Sequence, residues 1–341
     1  MTIKPGAMLV IRPDRLGDVL LTLPLVESLR AYYPESRIDF LCQSYTEKLL
    51  KFYPAVNNLV IFDHYKKSVR FHAIKQLVTE LKKNKYDLAI HVLPRFETAL
   101  AVYLAGVRFS LGSGFRWFSF LFNLRHYEHR KKNIFHEAEC NLRLLNKLDI
   151  PWEIKTWKEV PFKFDRDDYQ AVNYFLQEND LKPHNYLILH PGSGGSTRTW
   201  PLAYYRDLLR LITNQLDYKV ALTGSENEKQ RFMDAGQDKL PPFIDCFGRF
   251  SLPQLAIFLS QAVLFVSNST GPLHLAVTMG IPVLGFYPEI TAMNPMRWGP
   301  FQRTKQQTLT PKNIRSDYSD QMETIKPEIA LNRIKAILDI N

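Results

Sequence analysis

A connection rich in glycine and hydroxyl residues in the second half of the chain has the composition of a phosphate-binding loop. Residues 190–201 read HPGSGGSTRTWP and follow an apolar run. Backbone N–H groups in such a loop are free to face an anion, and an arginine can bind a diphosphate with two parallel hydrogen bonds. It is not a Walker loop, because no Gly-Lys-Ser/Thr follows. The candidate ligands are Gly192, Ser196, Thr197 and Arg198, and the alternative is a flexible surface loop.

A second short loop combines a glycine with an acidic residue. It runs from Thr223 to Glu228 and includes Gly224. A carboxylate near the start of the following helix can accept hydrogen bonds from ribose hydroxyls, as in dinucleotide-binding folds. The alternative role for Glu228 is to stabilise the helix dipole.

A third loop, Val266–Leu275, has the residues of an anion-binding helix start. Ser269 or Thr270 can cap the helix, and Gly271 leaves the backbone open just ahead of a proline. A helix N-terminus of this kind suits an anionic leaving group. His274 follows in the first turn or so, where a buried structural histidine is the alternative to a ligand-binding one.

The first half of the chain contributes one carboxylate of interest. The run Ile11–Val19 leads from the end of an apolar stretch into a helical pattern, with Gly17 and Asp18 at the start of that pattern. As an N-cap, Asp18 would stabilise the helix by about 1 kcal/mol. As a general base, it would be held ionised by the helix dipole. The turn alone favours the cap.

These four loops share a position at the ends of predicted β-strands. Short β-rich runs alternate with helical patterns in both halves, which is typical of βαβ units around parallel sheets. Ligands bind such sheets at the carboxyl ends of the strands, so we expect a cleft there. The predicted strands are Met8–Arg12, Arg37–Cys42, Asn58–Phe62, Tyr86–Val92, Tyr186–His190, Lys219–Thr223, Phe243–Cys246, Leu264–Ser267 and Val283–Phe286.

The length of 341 residues predicts two domains of the doubly wound α/β class. The segment Pro151–Phe164 contains Pro, Trp and Lys without a clear periodicity, and it is the predicted linker. We therefore expect an N-terminal domain over residues 1–160 and a C-terminal domain over residues 161–326. An amphipathic helix in residues 327–341 is expected to pack back across the domains.

The net charge of +10 points to an anionic partner. Nucleic acid, an anionic membrane face and a phosphorylated substrate are the candidates, with ordinary solubility charge as the alternative. An aromatic stretch, Phe115–Phe122, precedes a basic one that contains Arg125, Arg130, Lys131 and Lys132. Basic residues beside exposed aromatics suit an interface with anionic headgroups, although the same aromatics would also suit a core. We assign the four basic residues to an anionic acceptor, and expect peripheral membrane contact and no nucleic-acid partner.

Several site classes are excluded by what the sequence lacks. The three cysteines are widely spaced and the nine histidines show no ligand spacing, so we expect neither a disulfide framework nor a metal. No Gly-x-Gly-x-x-Gly follows the first strand, which disfavours a Rossmann dehydrogenase. The N-terminus lacks the apolar region of a signal peptide, and no apolar run approaches the ~20 residues of a membrane span, so a cytoplasmic location is expected.

The run Arg15–Pro24, which reads RLGDVLLTLP, resembles the opening motif of glycosyltransferase family 9, the lipopolysaccharide heptosyltransferases. Three later segments, residues 190–201, 224–228 and 267–274, are similar to later family motifs in the same order. The resemblance therefore spans almost the whole chain. It implies a GT-B fold, with two Rossmann-like doubly wound domains facing a central cleft. It also implies a metal-independent, inverting transfer from ADP-heptose, without a cofactor, to a sugar of the lipopolysaccharide core.

The same resemblance implies roles for individual residues. Asp18 corresponds to the catalytic base, and Arg198 lies where the family usually has a Lys that contacts the donor phosphates and sugar. Ser269 stands where many members have an Asp that contacts the sugar. The other donor-binding residues are Gly17, Gly192, Ser196 and Thr197, Gly224 with Glu228 at the ribose, Arg249 and Phe250 near the adenine, and Thr270, Gly271 and His274 at the diphosphate.

Other classes of function remain open. A nucleotide-sugar epimerase can use the same fold but needs no basic, aromatic acceptor surface, and a GT-B transferase of another nucleotide-sugar is a further alternative. A non-catalytic nucleic-acid binder would explain the charge of +10. It would leave Asp18 and the phosphate-type loops without a purpose.

Overall fold

A computed structural model describes residues 4–63, 70–153, 162–195, 198–301, 307–311 and 321–340. The chain divides into two compact units, residues 1–155 and 156–341. Most of the predicted linker, and the predicted donor ligands Ser196 and Thr197, lie outside the described residues. Among the helices that the structure describes, none has the length and apolar character needed to cross a lipid bilayer.

The first unit is a parallel six-stranded sheet with helices. Its elements are β1 (Ala7–Ile11), α1 (Leu16–Leu20), α2 (Leu23–Tyr32), β2 (Arg37–Cys42), α3 (Ser44–Leu50), β3 (Asn58–Ile61), α4 (Arg70–Asn84), β4 (Leu88–His91), α5 (Phe96–Leu104), β5 (Phe109–Ser113), β6 (Leu124–His126) and α6 (Glu137–Leu142), with 3-10 turns at Ser119–Leu121, Arg130–Lys132 and Arg143–Leu148. Strands β1 and β4 are buried throughout, which explains why their residues are apolar except for His91 at the end of β4. The sequence pattern missed β5 and β6, because β6 is a three-residue edge strand with two basic side chains.

The second unit repeats this architecture. Its elements are α7 (Arg166–Glu178), β7 (Tyr186–His190), α8 (Leu202–Gln215), β8 (Lys219–Gly224), α9 (Glu226–Asp234), β9 (Ile244–Phe247), α10 (Leu252–Ser260), β10 (Leu264–Asn268), α11 (Gly271–Thr278), β11 (Val283–Phe286), α12 (Pro295–Trp298), β12 (Gln307–Leu309) and α13 (Pro327–Ile337). Each of the five strands predicted for this half is present. The edge strand β12 was not predicted, since three residues are too few for a period-two pattern to be recognised.

Both sheets reverse their strand order beside the first strand of the unit. The orders are β3-β2-β1-β4-β5-β6 and β12-β11-β10-β7-β8-β9, and every pairing is parallel. At the reversal points, Ile11 pairs with His91 and Ser267 with His190. Connections leave the two strands at such a point on opposite faces, and this opens a crevice at their carboxyl ends. The doubly wound α/β prediction is confirmed, and the loops after β1, β4, β7 and β10 border these crevices.

Two short helices follow β1 and form one wall of the first crevice. The helix is interrupted between α1 and α2, ahead of Pro24, because proline has no N–H to continue the helical hydrogen bonds. Thr22 Oγ1 donates to the carbonyl of Asp18 at 2.8 Å. Asn141 Nδ2 donates to the carbonyl of Leu21 at 2.9 Å. These bonds fix both the break and the orientation of α1 against α6.

The C-terminal helix α13 contributes its apolar face to the core of the second unit. It packs against α8 and β12, with Leu331 and Ile334 buried. Trp200 lies fully buried in the same core, stacked on Phe286 with ring centroids 4.1 Å apart. Its Nε1 donates to the carbonyl of Ile325 at 2.7 Å, just before α13. The end of the glycine-rich loop is therefore anchored in a rigid core.

Candidate active site

Asp18 lies in α1, at the reversal point of the first sheet. It is the third residue of the helix, after Gly17, and the N-cap residue Arg15 makes no side-chain capping bond. The Asp18 carboxylate instead accepts a hydrogen bond from Nη2 of Arg12 at 2.5 Å. Its side chain is 20% exposed, so part of the carboxylate remains accessible. Asp18 is therefore not the helix cap, and its role as a general base stays a prediction.

Arg12 is the centre of a buried cluster of charges. It is the first residue after β1, and its side chain is almost wholly shielded from solvent. Nε lies 3.1 Å from Asp14 Oδ2, and Nη2 lies 3.3 Å from Glu137 Oε1 as well as contacting Asp18. A buried charge is strongly destabilising unless it is paired. Three carboxylates around one guanidinium therefore require further cations nearby.

Two arginines supply those cations. Arg95, after β4, places Nη2 2.5 Å from Asp14 Oδ1. Arg130 places Nη1 2.6 Å from Glu137 Oε1, and its Nη2 donates to the carbonyl of Val92 at 3.1 Å. The cluster thus contains three acids and three arginines, and its formal charges balance.

The environment of Asp18 changes its proton affinity. Burial, the largest influence, raises the pKa of Asp18, and the negative charges of Asp14 and Glu137 raise it further. Arg12 lowers it, but the net pKa lies above the ordinary aspartate value. A carboxylate with a raised pKa is a stronger proton acceptor than an ordinary one, and such groups are frequent at functional sites.

The basic residues assigned to an acceptor do not share one environment. Arg125, Lys131 and Lys132 are exposed. The side chain of Arg130 is only 15% exposed and is bound to Glu137, within the buried cluster. Three of the four residues are therefore available at the surface, and Arg130 is committed to the interior.

The aromatic stretch beside them divides between core and surface. Phe118 and Phe122 are buried with Leu121 in a small core next to α5. Trp117 and Phe120 point outward and are 74% and 64% exposed. Part of the segment is therefore core and part is surface, and contact of the exposed part with headgroups stays a prediction.

The glycine-rich loop of the second unit is held at both ends by Asn268, the last residue of β10. Asn268 Nδ2 donates to the carbonyl of Pro191 at 3.1 Å, and Oδ1 accepts from the backbone N–H of Trp200 at 2.8 Å. The side chain is fully buried, so these bonds satisfy groups that water does not reach. Asn268 is not among the predicted site residues. Its signal in the sequence is a polar amide at the end of an apolar strand.

Gly192 is required by the close approach of Glu228. A Cβ atom at position 192 would lie 2.1 Å from Glu228 Oε1, so any side chain there would displace the carboxylate. Gly194 and Gly195 have φ angles of 54° and 72°, a left-handed conformation that favours glycine. The N–H of Gly194 donates to Glu228 Oε1 at 3.2 Å. Gly194 and Gly195 are exposed and carry no side chain, and the N–H of Gly195 donates to Ser193 Oγ at 3.3 Å.

Glu228 also completes a capping box at the start of α9, directly after Gly224. Its Oε2 accepts hydrogen bonds from the N–H of Ser225 at 2.8 Å and from its Oγ at 2.9 Å. Burial raises the pKa of Glu228, but the hydrogen bonds from Ser225 and Gly194 contribute to a net lowering, so the carboxylate is ionised at neutral pH. It joins α9 to the glycine-rich loop, which is more than the dipole role considered above.

The start of α11 has the predicted cap, with Thr270 as the capping residue. Its Oγ1 accepts a first-turn backbone N–H at 3.4 Å and contacts Ser267 Oγ at 3.0 Å. Ser269, before it, is half-buried, while Gly271 opens the helix and His274 is buried within it. The helix N-terminus follows β10, at the reversal point of the second sheet.

The remaining predicted donor ligands lie at two other places in the second unit. Arg198 is exposed near the end of the glycine-rich loop. Arg249, after β9, is also exposed, with its guanidinium 5.5 Å from the centre of the Phe175 ring. Phe250 packs on Phe175 and Phe258, with ring centroids 5.0 and 4.8 Å apart. Packing in this aromatic group fixes the position of Phe250.

The two units therefore present different chemistry at equivalent places. The first offers a partly accessible carboxylate with a raised pKa, and the second offers bare backbone and a helix N-terminus that suit an anion. Proton acceptance and stabilisation of an anionic leaving group are what a transfer from a nucleotide-linked donor requires. In the part of the chain that the structure describes, no group of three or more His, Cys, Asp or Glu side chains is arranged to hold a metal ion.

Several known proteins are similar to this chain. A putative glycosyltransferase of Haemophilus influenzae is 30% identical, with 86% of this chain and 85% of that protein covered. Lipopolysaccharide heptosyltransferase 3 of Escherichia coli K12 is 25% identical, with 80% and 79% covered. Among solved structures, a family 9 glycosyl transferase from Veillonella parvula has a TM-score of 0.86 at 19% identity, over 99% and 98% of the two chains. An E. coli heptosyltransferase solved with ADP-2-deoxy-2-fluoro heptose has a TM-score of 0.70 at 17% identity, over 97% and 99%.

The solved structures and the two Rossmann-like sheets show the GT-B fold, which confirms the predicted fold class. Residues 74–326 match the family described as Glycosyltransferase family 9 (heptosyltransferase). The chain belongs to glycosyltransferase family 9, as its motifs predicted.

We expect Glu228→Ala to lower the free energy of unfolding by about 1–2 kcal/mol, because it removes a capping box and a bond to the glycine-rich loop. Amide hydrogen exchange at Gly194 should also become faster, since its N–H loses its acceptor. The matched control is Gln254→Ala, which removes the equivalent box at the start of α10. Urea unfolding and hydrogen-exchange mass spectrometry test both variants. Equal acceleration of loop exchange in the two would show that Glu228 does not anchor the loop.

Proposed function

We propose that this glycosyltransferase transfers heptose from ADP-heptose to a sugar of the lipopolysaccharide core, with inversion and without a metal. The observation that carries the proposal is the Asp18 carboxylate, held by Arg12 at a sheet reversal point with a raised pKa. The named activity of the E. coli relative and the ADP-sugar analogue bound to the E. coli neighbour support the choice of acceptor and donor.

The second unit is assigned to the donor. The glycines of its loop let a diphosphate approach the backbone, the N-terminus of α11 presents the positive end of the helix dipole, and Arg198 adds a positive charge near the loop. Negative charge grows on this leaving group in the transition state, so the same groups stabilise the transition state more than the ground state. Oε1 of Glu228 accepts one hydrogen bond, from Gly194, so it has a further lone pair, which we assign to a ribose hydroxyl.

The first unit is assigned to the acceptor. Asp18 removes the proton from the attacking acceptor hydroxyl while the oxygen of that hydroxyl bonds to the anomeric carbon. The attack takes place on the face opposite to the departing nucleotide. Attack on that face inverts the anomeric configuration. The bond to the diphosphate oxygen breaks, and its electron pair leaves with the nucleotide. The positive groups of the second unit meet the leaving charge, so the chemistry assigns no step to a metal.

The exposed residues of the aromatic and basic segment are assigned to the acceptor and to the membrane that carries it. Arg125, Lys131 and Lys132 meet phosphate groups of the acceptor. Trp117 and Phe120 contact the cytoplasmic face of the inner membrane, because exposed aromatic side chains beside cations suit the headgroup region. We accordingly propose a cytoplasmic enzyme with peripheral contact at that membrane.

Asp18→Asn is expected to lower the turnover by about 10²–10⁴-fold, because asparagine keeps the hydrogen bond to Arg12 but cannot accept the proton. Release of ADP from ADP-heptose, measured with a core acceptor in EDTA, checks both the base and the absence of a metal. Glu47→Gln, which neutralises a first-turn acid of α3 in the same unit, should keep its turnover. Asp14 is unsuitable as a control, because it is buried between two arginines.

Near-normal turnover of the Asp18→Asn variant would leave the base unidentified. Activity that disappears in EDTA and returns with Mg²⁺ would refute the metal-free mechanism. Loss of the nucleotide-sugar with no transferred product would favour the epimerase or hydrolytic alternatives.

The pH dependence of kcat/KM should report the raised pKa of Asp18. The base acts when ionised, so activity should fall as the pH drops through this pKa. Because burial raises the pKa, the fall should begin at a higher pH than an ordinary aspartate would give. The acid limb should be absent from the residual activity of Asp18→Asn. A limb at the ordinary aspartate pKa, or one that persists in the variant, would contradict the assignment.

The aromatic and basic residues should separate in a membrane assay. Trp117→Ala with Phe120→Ala should reduce binding to anionic phospholipid vesicles and leave the KM for a detergent-free, deacylated core acceptor unchanged. Neutralising Arg125, Lys131 and Lys132 should raise that KM, with an effect that fades at high salt as the charges are screened over about 8–10 Å. Tyr174→Ala, at an exposed aromatic residue of the second unit, is the control. If the Trp117 and Phe120 double variant binds vesicles as strongly as the unmodified enzyme, the assignment of these residues to the membrane is wrong.

A further inference from the structure

We propose that Glu137 and Arg130 are positioning residues that act through Arg12 to fix the Asp18 carboxylate and set the pH range in which it accepts a proton. This inference rests on the proposed role of Asp18 as the base. It gives Arg130 a different task from the other basic residues of its segment.

The geometry around Arg12 makes the link to Glu137 direct. A single nitrogen, Nη2 of Arg12, lies between Asp18 Oδ1 at 2.5 Å and Glu137 Oε1 at 3.3 Å. Glu137 is the first residue of α6 and its side chain is 1% exposed, so water does not screen it. The two carboxylates therefore share one donor. Any change in the charge of one alters the hold of Arg12 on the other.

Arg130 is the second arginine that binds the Glu137 carboxylate. Its Nη1 lies 2.6 Å from the same Oε1 atom that contacts Arg12, so this oxygen is shared by two guanidinium groups. Nη2 of Arg130 donates to the carbonyl of Val92, at the end of β4. The network thus connects the carboxyl ends of β1 and β4, the two strands that flank the first crevice.

A second set of hydrogen bonds joins Arg130 to the end of α1, the helix that carries Asp18. Its Nη1 donates to Asn141 Oδ1 at 2.9 Å, and Asn141 Nδ2 donates to the carbonyl of Leu21 at 2.9 Å, directly after α1. Arg130 therefore acts on both the carboxylate of Asp18 and the end of the helix that carries it. Buried ionic contacts cost desolvation energy and are weak evidence for stability alone, and this network fixes a specific geometry at the crevice.

The charges predict opposite effects on Asp18. Glu137→Gln removes a nearby negative charge and leaves Arg12 more fully to Asp18, so the ionised form of Asp18 is favoured. Arg130→Gln removes one of the two guanidinium groups that share Glu137 Oε1, so Glu137 binds Arg12 more strongly and the ionised form of Asp18 is disfavoured. The charged or titratable groups around Asp18 from the packed elements are Arg12, Asp14, Arg15, Tyr45, Arg95, Arg130 and Glu137.

The test is the pH profile of kcat/KM for the full-length enzyme. We expect the acid limb to move to lower pH in Glu137→Gln and to higher pH in Arg130→Gln, with kcat at neutral pH reduced by roughly three- to tenfold in each. The KM for the nucleotide-sugar should be unchanged, because the donor residues lie in the second unit. Arg130→Lys keeps the charge and should restore the position of the limb, so it tests the idea even if Arg130→Gln folds poorly.

The matched control is Arg143→Gln, which breaks a comparable arginine–carboxylate contact, Arg143 Nε to Glu128 Oε2 at 2.5 Å, outside the network. If the role of these residues is purely structural, Glu137→Gln and Arg130→Gln will lower the melting temperature, and the acid limb of kcat/KM will stay at the pH found for the unmodified enzyme. That result would overturn the proposal. If Asp18→Asn itself retains the limb, the assignment of the base fails instead, so the two failures are distinguishable.

Discussion

The chemistry of this protein depends on the reversal of strand order in each parallel sheet. Connections leave the strands at a reversal on opposite faces, so the carboxyl ends of β1 and β4, and of β7 and β10, stay uncovered. The unusual residues follow these ends: Arg12 after β1, Arg95 after β4, Gly192 after β7 and Thr270 after β10. The strand order therefore determines where these residues lie, and their side chains determine the chemistry available there.

The two units differ in electrostatics at equivalent places. In the first, burial and the charges of Asp14 and Glu137 raise the pKa of Asp18, while Arg12 lowers it. In the second, Gly194 and Gly195 expose backbone without side chains next to the start of α9. Glu228 is ionised there because hydrogen bonds from the backbone stabilise its charge.

Two residues of the second unit hold the glycine-rich loop in place through their side chains. Asn268 joins both ends of the glycine-rich loop, and Glu228 joins that loop to the start of α9. The buried amide of Asn268 is tolerated because both its N–H donors and its oxygen have partners.

The sequence by itself determined the class of fold and the loops of the site, because alternating strand and helix patterns, glycine runs and helix caps are local features. It did not reveal that Asp18 is bound by Arg12 rather than capping α1, or that Arg130 binds Glu137 with its side chain only 15% exposed, because charge alone suggests a solvated surface. Contacts such as Arg12 with Glu137, 125 residues apart, and Asn268 with Pro191, 77 residues apart, arise only when distant segments pack together. No local pattern encodes such a pairing. Burial then decides the partners and the pKa, and the tertiary structure alone sets burial.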